Sequence, residues 1–437
     1  MHPRVLIVGT VPYNKQSSSR AFESYFHNWE KENLVQIYSN PREPVHGHCS
    51  SFYQITDKRM LMRHFNKNVK TGVIFYDCEL QDEWKPLSEK QKRSLTSKLY
   101  GLGSRKAPMN YLMRGWLWKQ KFWCVPQLNK WLNEFQPECV FLAFSDDYFI
   151  PQIALYIAER FDIPIVSCIG DDYYFNDRKS FSPAYYIYRK TYKQLINRVF
   201  AHGGSAAYIG DKIRDKYNQE FLLNGKTVYL TSEIERHEFR PINTEKPFIS
   251  YCGNIRLGRN SSICAVADAL AKINSTYRVH VYSNETEEMY YKQLKENQNV
   301  VFHGAVPYAE VMKIMNQSDV LLVVEGFEKK DVDITRYSLS TKVADSLAVG
   351  GAVLALGSIE CGAIEYMKRI ACGPVCTNIG DLDAAIRKLF SDVEYQKENY
   401  QKSMEVSKRN HTLASSNKIF ESLVEESILD YSKKLKN

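Results

Sequence analysis

Residues 325–356, EGFEKKDVDITRYSLSTKVADSLAVGGAVLAL, decide the fold of the chain around them. They follow the apolar, β-branched run 320–324, which lacks the alternation of a half-buried strand and predicts a buried parallel strand. We predict a polar loop next, and then a short helix that opens at 338–342 and ends at the glycine pair 350–351. A second buried strand over 352–356 completes a strand–helix–strand unit.

The predicted start of this helix has the features of an anion site. Ser340 or Thr341 is placed to cap it, and Arg336 and Lys342 bring positive charge nearby. The first N–H groups of a helix lack partners within it, and the helix dipole is positive there. We therefore expect a phosphate or diphosphate at this end. The alternative is a Rossmann-like unit whose charged loop is simply solvated.

Two parts of this stretch, EGF at 325–327 and SLSTKVADSLAVGGAVLA at 338–355, resemble a known donor-nucleotide segment. The resemblance is to the GT-B glycosyltransferases, in particular glycosyltransferase family 4 and related bacterial surface-polysaccharide enzymes. In that family one acid lies near the donor sugar and a second binds the ribose hydroxyls. The resemblance implies the first role for Glu325 and the second for Asp345, although the loop between them is longer than is usual in the family.

Length and composition indicate a globular protein of two or three domains. The chain has 437 residues, of which 44% are hydrophobic and 25% charged, and it has no apolar run of about 18 residues that would span a bilayer. Its N-terminus, MHPRVLIVGT, predicts a first strand and not a signal peptide. Ten scattered cysteines favour reduced thiols in the cytoplasm. Cys372 and Cys376 lack a matching pair, so no metal site is expected.

The net charge of +8 is concentrated in one stretch that also contains tryptophan and tyrosine. The basic residues there are Lys85, Lys90, Lys92, Arg93, Lys98, Arg105, Lys106, Arg114, Lys119 and Lys121. This mixture suits peripheral contact of 85–123 with an anionic membrane, at the inner face in a cytoplasmic protein. A solvated helical face with inward-packed tryptophans is the alternative. No nucleic-acid motif accompanies the stretch, so we expect no nucleic-acid partner.

Strands and helices alternate along most of the first half of the chain, which predicts a covered parallel sheet. We predict a Rossmann-like acceptor domain over 1–238, with an insertion at about 41–125 that holds one strand at 73–76. Another strand is predicted at 199–202. The opening unit lacks GxGxxG and an acid after its second strand, which excludes a dinucleotide cofactor site.

Two acidic pairs follow predicted strands of this domain, Asp146 with Asp147 and Asp171 with Asp172. Ligands of parallel sheets bind beyond the carboxyl ends of the strands, and adjacent carboxylates can raise each other's pKa. The pairs are therefore candidates for acid–base or acceptor-binding chemistry, and Asp171 and Asp172 join Glu325 as the catalytic candidates. By resemblance they fall where many family 4 members have a His-Asp or similar group, but the His is missing. The alternative is that these carboxylates cap the helices that follow.

The second domain is predicted over 239–414, after a linker at 231–246. Its opening strand leads into GNIRLGRNSSI at 253–263, which resembles the family's glycine turn and cation before a helix. This resemblance implies that Gly253 lets backbone approach the donor diphosphate and that Arg256 and Arg259 bind it, together with Ser340, Thr341 and Lys342. It also implies that the last helix, 415–437, returns to the first domain.

The sequence thus predicts an α/β protein of GT-B architecture, with two Rossmann-like domains whose parallel sheets face each other across an interdomain cleft. The implied function is transfer of a sugar from a nucleotide-sugar to a glycan or lipid-linked acceptor. By resemblance the reaction is retaining and independent of metal or other cofactor. Two alternatives stay open: a sugar-nucleotide epimerase of the same fold, and a non-catalytic partner protein that binds nucleotide-sugars.

Overall fold

The computed structural model describes residues 2–13, 19–81, 108–177 and 179–436. The chain divides into two compact units. Unit 1 contains Met1–Val228 and Asn417–Asn437, and unit 2 is the continuous segment Tyr229–Ser416. Of the basic stretch predicted to touch a membrane, residues 85–107 lie outside the described ranges.

The sheet of unit 1 has eight strands in the order β4-β3-β2-β1-β5-β6-β7-β8. They are parallel except for β4, which is antiparallel to β3. The strands are β1 (Val5–Gly9), β2 (Leu34–Tyr38), β3 (Ser51–Ile55), β4 (Gly72–Tyr76), β5 (Cys139–Ala143), β6 (Ile165–Ile169), β7 (Gly204–Tyr208) and β8 (Lys226–Thr227).

Helices cover this sheet. In the described ranges they are α1 (Ser19–Phe26), α2 (Asp57–Phe65), α3 (Pro108–Leu117), α4 (Gln120–Trp123), α5 (Pro126–Phe135), α6 (Phe149–Phe161), α7 (Pro183–His202) and α8 (Asp211–Phe221). Aromatic side chains of α1 pack on β1 and β5 in one buried cluster, which also includes Phe420 and Leu423 of the C-terminal helix. The C-terminal helix therefore completes the core of unit 1.

Unit 2 has a six-stranded parallel sheet in the order β11-β10-β9-β12-β13-β14. The strands are β9 (Ile249–Cys252), β10 (Val279–Tyr282), β11 (Val300–Gly304), β12 (Val320–Val324), β13 (Ala352–Leu356) and β14 (Val375–Cys376). The later helices are α9 (Arg259–Ile273), α10 (Glu288–Glu296), α11 (Tyr308–Gln317), α12 (Lys329–Thr335), α13 (Thr341–Val349), α14 (Gly362–Ile370), α15 (Leu382–Ser391), α16 (Val393–Asn410) and α17 (Leu413–Lys436). Short 3-10 turns lie at Lys31–Asn33, Asp77–Glu79 and Ile379–Asp381.

The first and last residues of unit 2 lie side by side. The Ser416 hydroxyl donates to the Tyr229 carbonyl over 2.8 Å. The His411 ring donates from Nδ1 to the Leu230 carbonyl (2.9 Å), so its Nε2 accepts from the Tyr366 hydroxyl (2.8 Å). Burial lowers the pKa of His411 to about 4, so the ring is neutral at pH 7 and keeps both bonds. These bonds join the segment that enters unit 2 to the segment that leaves it.

The strand and helix predictions around residue 340 are confirmed, because β12, β13 and α13 have the expected places. Three other predictions are wrong or incomplete. The polar loop contains the helix α12, and 199–202 is the last turn of α7 and not a strand. The predicted insertion supplies the unpredicted strand β3 as well as β4 to the sheet.

None of the helices in the described ranges is long and apolar enough to cross a membrane. All ten cysteines are free.

Candidate functional site

The strand order of unit 2 reverses between β9 and β12. From β9 the chain adds β10 and β11 on one side, and then returns to add β12, β13 and β14 on the other. Ligands of open parallel sheets bind at the carboxyl ends of the strands beside such a reversal. Gly253 directly follows β9 and Glu325 directly follows β12, so two predicted site residues flank this point.

Glu325 forms a buried ion pair with Arg259, the first residue of α9. The guanidinium donates from Nε to Oε2 (2.9 Å) and from Nη2 to Oε1 (3.0 Å). Their side chains are only 11% and 3% exposed. Burial lowers the pKa of Arg259, but the Glu325 carboxylate offsets this and leaves the pKa raised. The acid predicted to orient a sugar and a cation predicted to bind diphosphate are thus partners.

Two glycines let the loop after β12 approach the turn before α9. A Cβ on Gly326 would lie 2.4 Å from the Leu257 carbonyl oxygen and 3.1 Å from the Cα of Gly258. Any larger residue at 326 would push this loop away. The same contact brings Asp331 of α12 close, because its Oδ2 would lie 2.9 Å from a Cβ on Gly258. Asp331 is buried, and burial raises its pKa.

Lys342 lies in the first turn of α13 and reaches back to β9. Its Nζ is 2.5 Å from the hydroxyl of Tyr251 and 4.2 Å from the centre of that ring. The Tyr251 hydroxyl itself donates to the Asn254 carbonyl, so it accepts from the amine. Burial, and then the nearby charge of Arg259, lower the pKa of Lys342 to about 7, against the opposing effect of Glu325. An anion bound here would restore the proton at higher pH.

The stem of Lys342 packs directly on Gly253. A Cβ at Gly253, whose φ is +141°, would lie 2.8 Å from Lys342 Cδ and 3.0 Å from Nζ. Gly253 was predicted to let phosphate approach the backbone, but in this structure its missing side chain makes room for Lys342. The structure brings together Gly253, Arg259, Glu325 and Lys342, with Tyr251 between them.

Replacing Gly253 with alanine is expected to displace the Lys342 amine from Tyr251 and to weaken binding of the diphosphate predicted from the sequence about tenfold or more. Isothermal titration with inorganic pyrophosphate measures the change. Gly380→Ala is the matched control, since nothing lies within 4 Å of a Cβ there. Unchanged pyrophosphate affinity in Gly253→Ala would show that the position of Lys342 is not important for binding.

The other residues predicted at the diphosphate have separate places. Ser340 is the N-cap residue of α13, but its side chain makes no capping hydrogen bond, and Thr341 is exposed at the first position. Arg256 is held by Glu285 (2.5 and 2.9 Å) and Glu287 (2.7 Å). Because two carboxylates already neutralise Arg256, it does not join the cluster around Lys342.

Asp345, the predicted ribose-binding acid, lies one turn after Lys342 on α13 and is buried. Its Oδ1 accepts from the Ser232 hydroxyl over 2.8 Å. Ser232 belongs to the segment 229–248, which has no helix or strand and opens unit 2. The same carboxylate therefore ties α13 to the beginning of the unit.

The two catalytic candidates of unit 1 differ in their surroundings. Asp172 Oδ1 accepts from the Tyr217 hydroxyl (2.8 Å) and from the backbone N–H groups of Phe175 (2.8 Å) and Tyr174 (3.1 Å). This carboxylate organises its own loop and does not cap a helix, since the next helix, α7, begins only at Pro183. Asp171 is exposed.

The other acidic pair follows β5, where the strand order of unit 1 reverses between β1 and β5. The Tyr111 hydroxyl donates to Asp146 Oδ2 over 2.7 Å, and Arg114 binds Asp147. Burial raises the pKa of Asp147 even though Arg114 opposes it. The position of this pair beside the reversal makes it the better-placed acidic pair for binding a ligand in unit 1.

Sequence reasoning missed Tyr251 and Asp331. Tyr251 lies in the apolar strand ISYC and has the pattern of a core residue. Asp331 is one of several charged residues in EKKDVD, and nothing in the sequence shows that it is buried while the other charged residues of this run are exposed. The only available signal was the position of Tyr251 two residues before the glycine turn.

No family model and no curated protein matches the sequence. Solved structures are similar in fold. The UDP-glucose complex of HepE from Anabaena has a TM-score of 0.58 and 11% identity, covering 97% of this chain and 100% of that chain. A glycosyltransferase from Rickettsia africae (TM-score 0.55) and sucrose-phosphate synthase from Thermosynechococcus elongatus (0.56) each have 10% identity, with 100% of both chains covered.

These likenesses show the fold. The chain has the α/β architecture of the GT-B glycosyltransferases, with two sheets of mainly parallel strands, which confirms the predicted fold class.

Proposed function

We propose that the protein is a glycosyltransferase that moves a sugar from a nucleotide-sugar to a glycan or lipid-linked acceptor. The observation that carries the proposal is the position of Lys342 and Arg259 beside the start of α13, where the strand order of unit 2 reverses. A helix start and two cations at such a point suit a diphosphate. The GT-B fold supports the same function.

The proposed chemistry is electrostatic. Breaking the bond between the sugar and the diphosphate leaves negative charge on the leaving group. The protonated amine of Lys342 and the N–H groups at the start of α13 stabilise that charge. Arg259, whose Nη1 is not used by Glu325, adds a further donor. Asp345 binds the ribose, and Glu325 orients the sugar.

The finer parts of the proposal concern the donor, the acceptor and the stereochemistry. UDP-sugars are the first donors to test, because HepE was crystallised with UDP-glucose. We assign the acceptor to unit 1, at the carboxyl ends of β5 and β6, where Asp146, Asp147 and Asp171 lie. The reaction is proposed to retain anomeric configuration and to use these cations in place of a metal. We place the enzyme in the cytoplasm, at the inner face of the membrane.

The test is release of nucleoside diphosphate from a panel of UDP-, GDP-, ADP- and TDP-sugars. We expect one nucleotide class to be turned over or hydrolysed by wild type, and Lys342→Ala to lose at least about a hundredfold in rate because the leaving group loses its cation. Lys329→Ala is the matched control, since Lys329 is 84% exposed and forms a surface ion pair with Asp333. Binding without release from any donor contradicts the transferase.

One observation favours a second candidate, a nucleotide-sugar-binding protein without transferase activity. The carboxylates of Glu325 and Asp172, both predicted to be catalytic, are engaged by other protein groups. Such a protein would be stabilised by nucleotide yet release no nucleoside diphosphate. An epimerase would also release UDP or change the sugar without an acceptor, so analysis of the sugar product separates it from the transferase.

A further inference from the structure

The helices α2 and α3 of unit 1 expose large apolar side chains on one face each. On α2, Phe65 lies four positions after Leu61 and three after Met62, and on α3 the residues are four and three apart, as expected for single helix faces. These residues are between 39% and 85% exposed: Leu61, Met62, Phe65, Met109, Met113 and Trp116. An apolar surface of this kind marks an interaction site.

The two rows belong to one surface because the helices touch. The ring of His64 lies 4.2 Å from the ring of Trp116, and its Nε2 is 3.0 Å from the Leu117 carbonyl oxygen. At the other end of α2, Asp57 accepts from Trp118 Nε1 (2.6 Å) and pairs with Arg114 (3.3 Å). These contacts fix α2 and α3 side by side, with Trp118 buried beneath them.

The surface is also strongly cationic. Residues 57–70 and 108–121 contain eight Lys and Arg and a single acid, whereas the whole chain has 58 basic and 50 acidic residues. The basic residues are Lys58, Arg59, Arg63, Lys67, Lys70, Arg114, Lys119 and Lys121. The single acid, Asp57, already binds Arg114. Nothing acidic in these two segments is therefore left to balance the remaining cations.

We propose that the surface of α2 and α3 docks on an anionic lipid bilayer. Exposed Leu, Met and Phe enter the boundary between headgroups and acyl chains, Trp116 lies at headgroup level, and the surrounding cations attract anionic headgroups. The surface differs from the one predicted from sequence, since Trp118 and Trp123 are buried and α2 was not included. Membrane docking extends the proposed function. It depends on that function only for the idea that the acceptor is linked to a lipid.

The test is co-sedimentation of the full chain with vesicles of phosphatidylcholine, with and without phosphatidylglycerol. We expect binding to the anionic vesicles, weakened by salt. Phe65→Ser with Trp116→Ser should weaken this binding about tenfold or more. Met289→Ser with Ile379→Ser is the matched control, because both side chains are exposed in unit 2 and should leave binding unchanged.

A charge variant tests the other half of the proposal. Lys67→Gln, Lys70→Gln and Lys119→Gln together should weaken binding to the anionic vesicles about tenfold or more and leave the melting temperature unchanged, because all three side chains are exposed. Equal binding by wild type and both variants, or no binding to anionic vesicles, overturns the proposal. So does an apolar variant that changes only self-association in sedimentation velocity. Nucleotide release is measured separately without vesicles, so failure of either proposal is distinguishable.

Discussion

Replacing Lys342 with methionine is expected to reduce UDP affinity about a hundredfold or more while raising the melting temperature at pH 7. The affinity falls because the cation that we propose for the diphosphate is lost. The stability rises because methionine keeps the stem that packs on Gly253 but removes an amine whose pKa is lowered to about 7, mainly by burial. A buried charge that function requires is expected to destabilise the folded protein.

The pH dependence of stability is a separate test of whether the Lys342 amine destabilises the fold. The pKa of Lys342 is about 7 when folded and near 10.5 when unfolded, so the unfolded chain binds more protons between these values. This group therefore makes wild type more stable as pH rises from about 7 to about 10. The difference in melting temperature between variant and wild type should be largest at pH 7 and shrink towards pH 10.

Differential scanning calorimetry across this range, with UDP titrations at each pH, measures both effects. UDP binding by wild type should weaken above pH 7, since the anion must then restore a proton to the amine. Lys329→Met is the control and should change neither stability nor affinity. A Lys342→Met protein that is less stable than wild type at pH 7 would show that burying the amine does not destabilise the fold.

Replacing Glu325 with glutamine is expected to destabilise the fold by about 3–5 kcal/mol, because it leaves the buried guanidinium of Arg259 without a counter-charge. UDP should stabilise this variant more than it stabilises wild type, since the diphosphate replaces the missing negative charge. Sugar transfer should nevertheless fall about a hundredfold, because the sugar loses the group that we propose to orient it. Urea denaturation with and without UDP, together with nucleotide release, measures the three effects.

A second variant separates the structural role of Glu325 from its proposed catalytic role. Arg259→Met with Glu325→Leu replaces the whole pair by apolar side chains and should recover most of the lost stability. If the double variant is as unstable as Glu325→Gln, the uncompensated charge is not the cause. If Glu325→Gln keeps its release rate per folded molecule, Glu325 is only structural.

The buried strands of unit 2 were predictable because their signals are local. The β-branched run Val320–Val324 and the apolar run Ala352–Leu356 are flanked by polar and glycine residues that end them. The same holds for α5, which begins at Pro126 where proline is favoured at a helix start. The lengths of these elements follow from the residues within them and directly beside them.

The error at 199–202 has a physical cause. Val199 and Phe200 are typical strand residues, but they continue α7, which ends at His202 with Gly203 as its C-cap residue. The strand that follows, Gly204–Tyr208, is built from Ser205, Ala206 and Ala207 and lacks a strong strand signal. It forms because β6 and β8 lie on either side of it, which no local pattern records.

The candidate site was predictable in its residue types but not in its pairings. Arg256 and Arg259 are three positions apart, yet one pairs with Glu285 and the other with Glu325. The sequence does not show which carboxylate pairs with which arginine, because Glu285 and Glu325 follow different strands and meet the arginines only in the folded unit. Lys342 meets Tyr251 across 91 positions of sequence, and its lowered pKa follows from that tertiary contact.

The hydrogen bond between Ser416 and Tyr229 has a consequence for the history and engineering of the chain. Unit 2 is one uninterrupted segment whose two ends meet, which is the arrangement that permits insertion of a domain into a host chain. The stretch that encodes unit 2 is therefore continuous and can be exchanged at two places, before Tyr229 and after Ser416, which lie close together in the structure. If unit 2 binds the donor as proposed, recombination at these two places would change donor preference without altering any codon of unit 1.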